Sequence, residues 1–392
     1  MSSDTSLSKK KLKVLIIITR LTIGGDTNVV LDIADYLKSN PDFDVELAVG
    51  PVLAHEVDLT HLAFEHGIPT TVIPSLVNHI NPKVNLQALF ALMSLMRKGK
   101  FDIVHTHSSV AGVVGRLAGF ITRVPVVVHH VHGWGIQENM STMVRTLYIN
   151  LERMCALFTD RLIAVSEPTI QKGLNYGICA RDKFALIYNG IDLEKFRQNV
   201  NREEVCADLG LDPKKKIVGM IARLDQQKNP LDFIRAAGMV VEKYPNVQFL
   251  IAGDGSLRAE CEDLIDKLNL RGTFFLLGYR SDISRIMPIL SMTVLSSLWE
   301  GLPVVFQEAM SAGKPTVAND VDGARDVIVD GVTGYLVPPH EPALMANRIV
   351  DLLQNEALAQ QMGQKARDYS ERFSGKQMLS EITSLYRRLS NA

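Results

Sequence analysis

Short β-branched runs alternate along the chain with longer stretches whose apolar residues recur every three or four positions, and this alternation predicts the elements. Residues 14–19, Val-Leu-Ile-Ile-Ile-Thr, read as a strand covered on both faces, as in a parallel sheet. The run ends at Gly24-Gly25. Beyond it Val29, Val30, Ile33, Ala34 and Leu37 share one helical face, with Asp26 or Thr27 as candidate cap. Strands follow at 45–49, 70–73, 103–106, 124–129, 162–165 and 184–187, with helices at 57–66, 86–97, 110–122 and 168–176 between them. Such alternation predicts a doubly wound, mostly parallel α/β sheet.

Asn189-Gly190-Ile191-Asp192 marks a turn, and the polar, poorly periodic residues 194–216 read as a linker. Alternation then restarts, with strands at 217–221, 247–252, 273–276, 292–295, 316–318 and 334–337. Amphipathic helices are expected at 343–354 and 356–370, a break at Gly375, and a terminal helix over 376–389. The second half thus repeats the architecture of the first without its sequence. Two such sheets in one chain predict a ligand held between their carboxyl edges.

Composition narrows the function classes. A chain of 392 residues with 46% hydrophobic and 22% charged residues has material for two or three globular domains. A formal net charge of -1 argues against nucleic acid as partner. Cys155, Cys179, Cys206 and Cys261 lack metal-ligand or redox spacing, which points to reduced thiols and a cytoplasmic protein. The basic, disordered tail expected at 1–11 and the apolar run after it imitate a signal peptide, but Arg20 interrupts the run and no cleavage site follows. No run reaches the roughly 20 apolar residues that span a bilayer. The stretch 140–158 mixes Met143, Leu147, Ile149, Leu151, Met154 and Leu157 with Arg145 and Arg153. It reads either as a helix buried on the first domain or as one lying on a membrane surface.

Candidate chemistry concentrates in residues 294–317. Gly301 and Pro303 break the strand there, Pro303 suits the first position of a helix, and Gly313 and Pro315 suit its end. The helix head, with its unpaired N–H groups and dipole, favours a phosphate. Glu300 lies in the loop before it and Glu308 about 7–8 Å further along, so one carboxylate can meet a sugar hydroxyl and the other a ribose. Arg223 and Lys228 emerge after the strand at 217–221, and an Arg fork with a Lys point charge suits a diphosphate. Gly253-Asp254-Gly255 ends the next strand, but Arg258 replaces the last glycine of a dinucleotide fingerprint. His129, His130 and His132 follow a strand, and a histidine there can hydrogen-bond a substrate. With no carboxylate beside them a metal is not expected, and His105 and His107 read as structural hydrogen-bonding groups. Asp42-Phe43-Asp44 reads as surface, while Asp320-Val321-Asp322 is a minor metal candidate.

Assembled, these residues resemble the retaining GT-B glycosyltransferases of family 4 over nearly the whole chain. The family's Glu-x7-Glu pattern falls on Glu300 and Glu308, and its Arg-x4-Lys pair on Arg223 and Lys228. Its glycine loop falls on Gly24-Gly25, its Asn-Gly turn on 189–192, and a glycine-ended strand on Leu276-Leu277-Gly278. His-Thr-His at 105–107 and Val-His-Gly at 131–133 look like the branch that builds capsule, O-antigen and exopolysaccharide units.

The resemblance implies two Rossmann-like domains facing each other across a cleft. The acceptor side would span 12–192, joined by the terminal helix 376–392 crossing back, and the donor side 193–375. Arg223 and Lys228 would neutralise the donor diphosphate, the backbone at Val304 and Val305 would meet its terminal phosphate, and Glu308 the ribose. Glu300 and the N–H of Leu302 would hold sugar hydroxyls, Tyr279 and Arg280 would border the base, and Gly253 joins the donor set. His132 would lie under the sugar and act with Glu300 in transfer. Gly25 would let the backbone approach the phosphate, and Gly24 and Asp26 would meet the acceptor. Asp26-Thr27-Asn28 departs from the usual sequence after the glycines, and Asp326 stands where Glu is usual. The family implies no metal and no cofactor. The implied partners are a nucleotide sugar, UDP-linked by preference with GDP-mannose left open, and a glycan or polyprenyl-diphosphate-linked acceptor at the inner face of the membrane. An epimerase, a phosphorylase or a non-catalytic sugar-nucleotide sensor on the same plan remains an alternative.

Overall fold

A computed structural model describes residues 11–53, 56–79, 81–136, 140–321 and 323–391, so most of the tail expected at 1–11 lies outside the described residues. The chain divides into two compact units, one running to Tyr188 and completed by Met378 onward, the other running from Asn189 to Gln377.

The first unit carries strands β1 (Leu12–Ile18), β2 (Phe43–Val49), β3 (Thr70–Val72), β4 (Ile103–His107), β5 (Val126–Val131), β6 (Arg161–Ala164) and β7 (Phe184–Leu186). They pair in parallel in the order β3-β2-β1-β4-β5-β6-β7. Its central strand has two buried faces. Val14, Ile16 and Ile18 pack with Val30, Ile33 and Leu37 of helix Gly25–Ser39 and with Ile382 and Tyr386 of the terminal helix Gly375–Ser390. Leu15 and Ile17 pack on the other side with Leu92 of helix Pro82–Gly99 and Ala111 of helix Ser109–Thr122. That double cover is why β1 reads as an unbroken apolar run.

The second unit carries β8 (Lys216–Ile221), β9 (Val247–Ala252), β10 (Phe274–Leu276), β11 (Met292–Leu295), β12 (Thr316–Asn319) and β13 (Gly334–Val337). These are parallel in the order β10-β9-β8-β11-β12-β13. The expected doubly wound α/β class holds for both units. Strand order reverses between β1 and β4 in one sheet and between β8 and β11 in the other. Ligands of open α/β sheets bind outside the carboxyl ends of strands at such reversals.

Several boundaries move for local reasons. Helix Pro82–Gly99 starts four residues before the expected 86, because the Asn81 side chain accepts from the Lys83 and Val84 amides and Pro82 follows it. The helix expected at 57–66 shrinks to Thr60–Glu65. Strand β5 runs two residues beyond the expected 129. Residues 194–216 are not a bare linker. They carry helices Leu193–Phe196 and Arg202–Leu209, and Leu193, Phe196, Val205, Cys206 and Leu211 join the second core. Helices this short show too few turns for periodicity to register. Among the described residues no helix is long and apolar enough to cross a membrane.

Candidate active site

In the second unit the loops after β8 and β11 are laced together. The Leu298 amide donates to the Gln227 carbonyl (2.8 Å) and Gln227 Nε2 to the Trp299 carbonyl (2.9 Å). The Ser296 hydroxyl lies 3.0 Å from the Lys228 carbonyl and 2.8 Å from that of Asn229. Lys228 therefore projects at the strand-order reversal, where its ammonium meets the Glu300 carboxylate. Sequence reasoning gave these two separate ligands and missed their pairing, which only tertiary structure creates. The pair is largely shielded, with side-chain exposures of 15% and 7%. Arg223 follows the same strand but is 50% exposed, its guanidinium 3.3 Å from Asp225 Oδ2 and 3.3 Å from Gln227 Oε1.

Helix Val304–Ser311 begins one residue later than expected, with Pro303 at the position before its first residue. Pro303 keeps an extended ψ of 119°, its ring offers no acceptor, and no side chain among the described residues is seen to cap this end. The first helical amides, those of Val304 and Val305, are thus left for an outside acceptor. Leu302, just before, is buried. The approach is tight: a Cβ on Gly323 would lie 1.8 Å from the Gly301 carbonyl oxygen. Glu308 is half-buried on this helix, and burial pushes its carboxyl up to about 7, with the Lys195 ammonium pulling the other way. Its neighbours anchor the helix: Gln307 Nε2 donates to the Asn189 carbonyl (2.7 Å) and Ser311 Oγ to that of Leu193 (2.7 Å).

Other predicted residues have more ordinary surroundings. Gly253 has φ +152°, and a Cβ there would lie 1.9 Å from the Ala222 carbonyl oxygen, so close packing on the Arg223 loop already requires glycine. Tyr279 is exposed, whereas Arg280 forks onto Asp282 at 2.8 and 2.7 Å. Asp320 is held by Arg325 at 2.5 and 2.8 Å, and Asp322 lies outside the described residues. Asp42 pairs with Arg387 and Asp44 with Lys13, as surface groups do.

In the first unit, Gly24 precedes helix Gly25–Ser39 in extended backbone, and Asp26 sits in its first turn. Asp26, Ser108, His130, His132 and Glu152 line a cavity of about 210 Å³. His107 Nδ1 and His132 Nε2 are 2.8 Å apart, so one donates to the other, and His132 Nδ1 is buried without a partner among the described residues. Burial holds His105, His107, His129, His130 and His132 below the ordinary imidazole range, His105 at about 3. The Asp26 carboxylate partly offsets this for His132. The sequence separates His105 and His107 from His130 and His132, but the β4–β5 register sets His107 opposite His130 and joins them. The order of strands in a doubly wound sheet was the available signal.

Helix Thr142–Leu157 docks through Glu152, Cys155 and Ala156, with Glu152 Oε2 2.8 Å from Arg116 of the neighbouring helix. It thus packs on the first unit, as one of the two readings expected, but along one face only: its apolar residues Met143 (80% exposed), Leu147, Met154 and Leu157 (81%) are exposed.

Two doubly wound units, with cations and an open helix head at one sheet's reversal and glycines and imidazoles at the other's, define a protein of the GT-B nucleotide-sugar class. Comparison with known proteins agrees. Residues 201–369 match the model described as glycosyl transferases group 1, and residues 23–195 match glycosyltransferase family 4. The UDP-Gal:alpha-D-GlcNAc-diphosphoundecaprenol alpha-1,3-galactosyltransferase of Escherichia coli is 32% identical over 335 residues, 82% of this chain and 83% of that one. The capsular polysaccharide biosynthesis glycosyltransferase CapM of Staphylococcus aureus is 27% identical over 312 residues, 77% of this chain and 80% of that one. The crystal structure of Anabaena HepE in complex with UDP-glucose superposes with a TM-score of 0.83 at 23% identity, covering 96% of this chain and 100% of that one. The chain belongs to the family 4 glycosyltransferases and is a GT-B enzyme of that kind.

Proposed function

We propose that this glycosyltransferase moves a sugar from a UDP-sugar to a hydroxyl of a lipid-linked or glycan acceptor, with retention at the anomeric carbon, in surface polysaccharide synthesis. The observation that carries this reading is the shielded Lys228–Glu300 pair beside the uncapped head of helix Val304–Ser311. Without donor, Glu300 neutralises Lys228. An arriving diphosphate competes for the ammonium and frees the carboxylate for a sugar hydroxyl, with the Leu302 N–H beside it. As the bond from the anomeric carbon to the diphosphate breaks, charge grows on the departing oxygen. Lys228, Arg223 and the amides of Val304 and Val305 stabilise it, the kind of preorganised electrostatics that usually dominates catalysis. The acceptor hydroxyl adds on the same face, and its proton passes to the departing phosphate oxygen. Glu308 takes the ribose and Tyr279 the base, while His132 assists the transferred sugar and Gly24, Gly25 and Asp26 serve the acceptor.

Cationic side chains fill the role a divalent ion would play at the diphosphate, so transfer proceeds in chelator. The E. coli relative's name specifies UDP-galactose and a diphosphoundecaprenol acceptor, which supports the same chemistry here. The outward apolar residues of helix Thr142–Leu157 support peripheral attachment to the cytoplasmic face of a membrane, where such an acceptor is found.

The test is a panel of UDP-sugars and GDP-mannose, with and without a polyprenyl-diphosphate-linked sugar, read by nucleotide release and by the anomeric configuration of the product. Acceptor-dependent UDP release with an axial-type product supports the reading. Interconversion of the donor without acceptor, or binding without release, contradicts it.

A further inference from the structure

The histidines of β4 and β5 form a second arrangement that the transfer reading leaves unused. His105 and His107 are two residues apart on β4 and so share one face of the sheet. His130 stands directly across from His107 on β5, on that same face. Each of the three offers a ring nitrogen within 4.8 Å of the other two, and all three are buried.

Their hydrogen bonding is lopsided. His105 Nδ1 lies 2.6 Å from the Tyr386 hydroxyl, and His107 Nδ1 lies 2.8 Å from His132 Nε2. The Nε2 atoms of both, and both ring nitrogens of His130, are buried with no partner among the described residues. Buried polar atoms are rarely left so, and a cluster of them calls for an ion or water. Metal-binding histidines show this division, one nitrogen on the metal and the other tied to an outer partner that fixes the ring. Tyr386 and His132 are those outer partners here.

We propose that His105, His107 and His130 bind one divalent transition metal ion, zinc foremost, through three imidazole nitrogens. Zinc accepts this donor set with Zn–N distances of about 2.0–2.1 Å and completes a tetrahedron with water. Magnesium and calcium, which take oxygen ligands, do not suit it. Closing the set brings the nitrogens to about 3.3–3.5 Å apart, which follows from those bond lengths at tetrahedral angles. His130, held by no hydrogen bond among the described residues, is the ring that turns. The cavity lined by His130 and His132 provides the entry path, and its carboxylate Asp26 lies nearby to balance charge, while Glu152 is already held by Arg116. Through His107 the ion also fixes the nitrogen that meets His132. This site is separate from the diphosphate groups Arg223 and Lys228, so its failure leaves the donor reading intact.

The test uses the full chain without a histidine tag. The protein is stripped by chelator under mild denaturation, refolded with zinc or cobalt(II), desalted, and assayed for metal by elemental mass spectrometry. The expected result is about one ion per chain, with cobalt showing tetrahedral ligand-field bands and zinc X-ray absorption showing nitrogen ligands near 2.0 Å. His105→Gln, His107→Gln and His130→Gln should each weaken zinc binding roughly 10-fold or more, while His61→Gln at an exposed histidine leaves it unchanged. Folding of each variant is checked by circular dichroism, and the wild-type spectroscopy stands even where a variant fails to fold. Wild-type protein that retains no metal, an oxygen-ligand spectrum, or unchanged affinity in a folded His130→Gln variant overturns the proposal.

Discussion

The two units share a topology and differ in chemistry at the same topological address. At the β8–β11 reversal the chain sets Arg223, Lys228, Glu300 and a helix head without a cap. At the β1–β4 reversal it sets Gly24, Gly25 and Asp26 beside strands whose histidines burial keeps neutral. A doubly wound sheet offers a place for a ligand, and the loop residues decide which ligand it is. On the proposed reading, the β8–β11 edge takes a polyanion. The other shows no clustered cations among the described residues and presents imidazoles and a small cavity, which suits hydroxyl-bearing groups.

Variants that exchange or remove these features sharpen the contrast. Lys228→Ala should have the largest effect, lowering kcat by about 100- to 1,000-fold, the cost of losing one strong oxyanion donor. Steady-state kinetics with the preferred donor checks this, and near-normal turnover would remove the donor site from the second unit. Glu300→Gln should lower kcat/KM about 10- to 100-fold through lost charged hydrogen bonds. The same variant should bind UDP itself more tightly than wild type, because Lys228 is no longer neutralised, and calorimetry separates the two effects. Arg223→Ala should cost less, about 10-fold, because an exposed cation is screened by water and salt.

The smallest effect concerns pH. Burial raises the Glu308 carboxyl from 4.5 to about 7, so it is largely neutral at pH 6 and ionised at pH 8. If the ionised form accepts the ribose hydroxyls, donor affinity rises a few-fold across that interval and is flat in Glu308→Gln. The same shift has a folding consequence of opposite direction. An acid whose pKa is raised on folding contributes stability below 4.5 that is lost as pH climbs through about 7. Thermal melts of wild type should therefore fall relative to Glu308→Gln across that range.

Much of the fold was legible because parallel strands buried on both faces leave plain, mostly apolar runs, as at β1 and β9. Helices Leu193–Phe196 and Arg202–Leu209 were not, since one or two turns rich in charged residues hide their few buried positions. For the candidate site, residue types and spacing suggested Arg223, Lys228, Glu300 and Glu308, and the structure brings Lys228 and Glu300 together. What spacing could not give was which side chains meet. The Lys228–Glu300 pair joins residues 72 apart, and His105 meets Tyr386 from 281 residues away. Arg280 read as available for a base, yet Asp282 two residues on already holds it.

The division of chemistry between the units is tested most directly by UDP affinity in Lys228→Ala and His132→Ala, measured side by side with wild type by calorimetry. Lys228→Ala should weaken UDP roughly 10-fold or more, as loss of a charged hydrogen bond does, and His132→Ala should leave it unchanged. The reverse result, with His132 needed for UDP and Lys228 dispensable, would contradict the account.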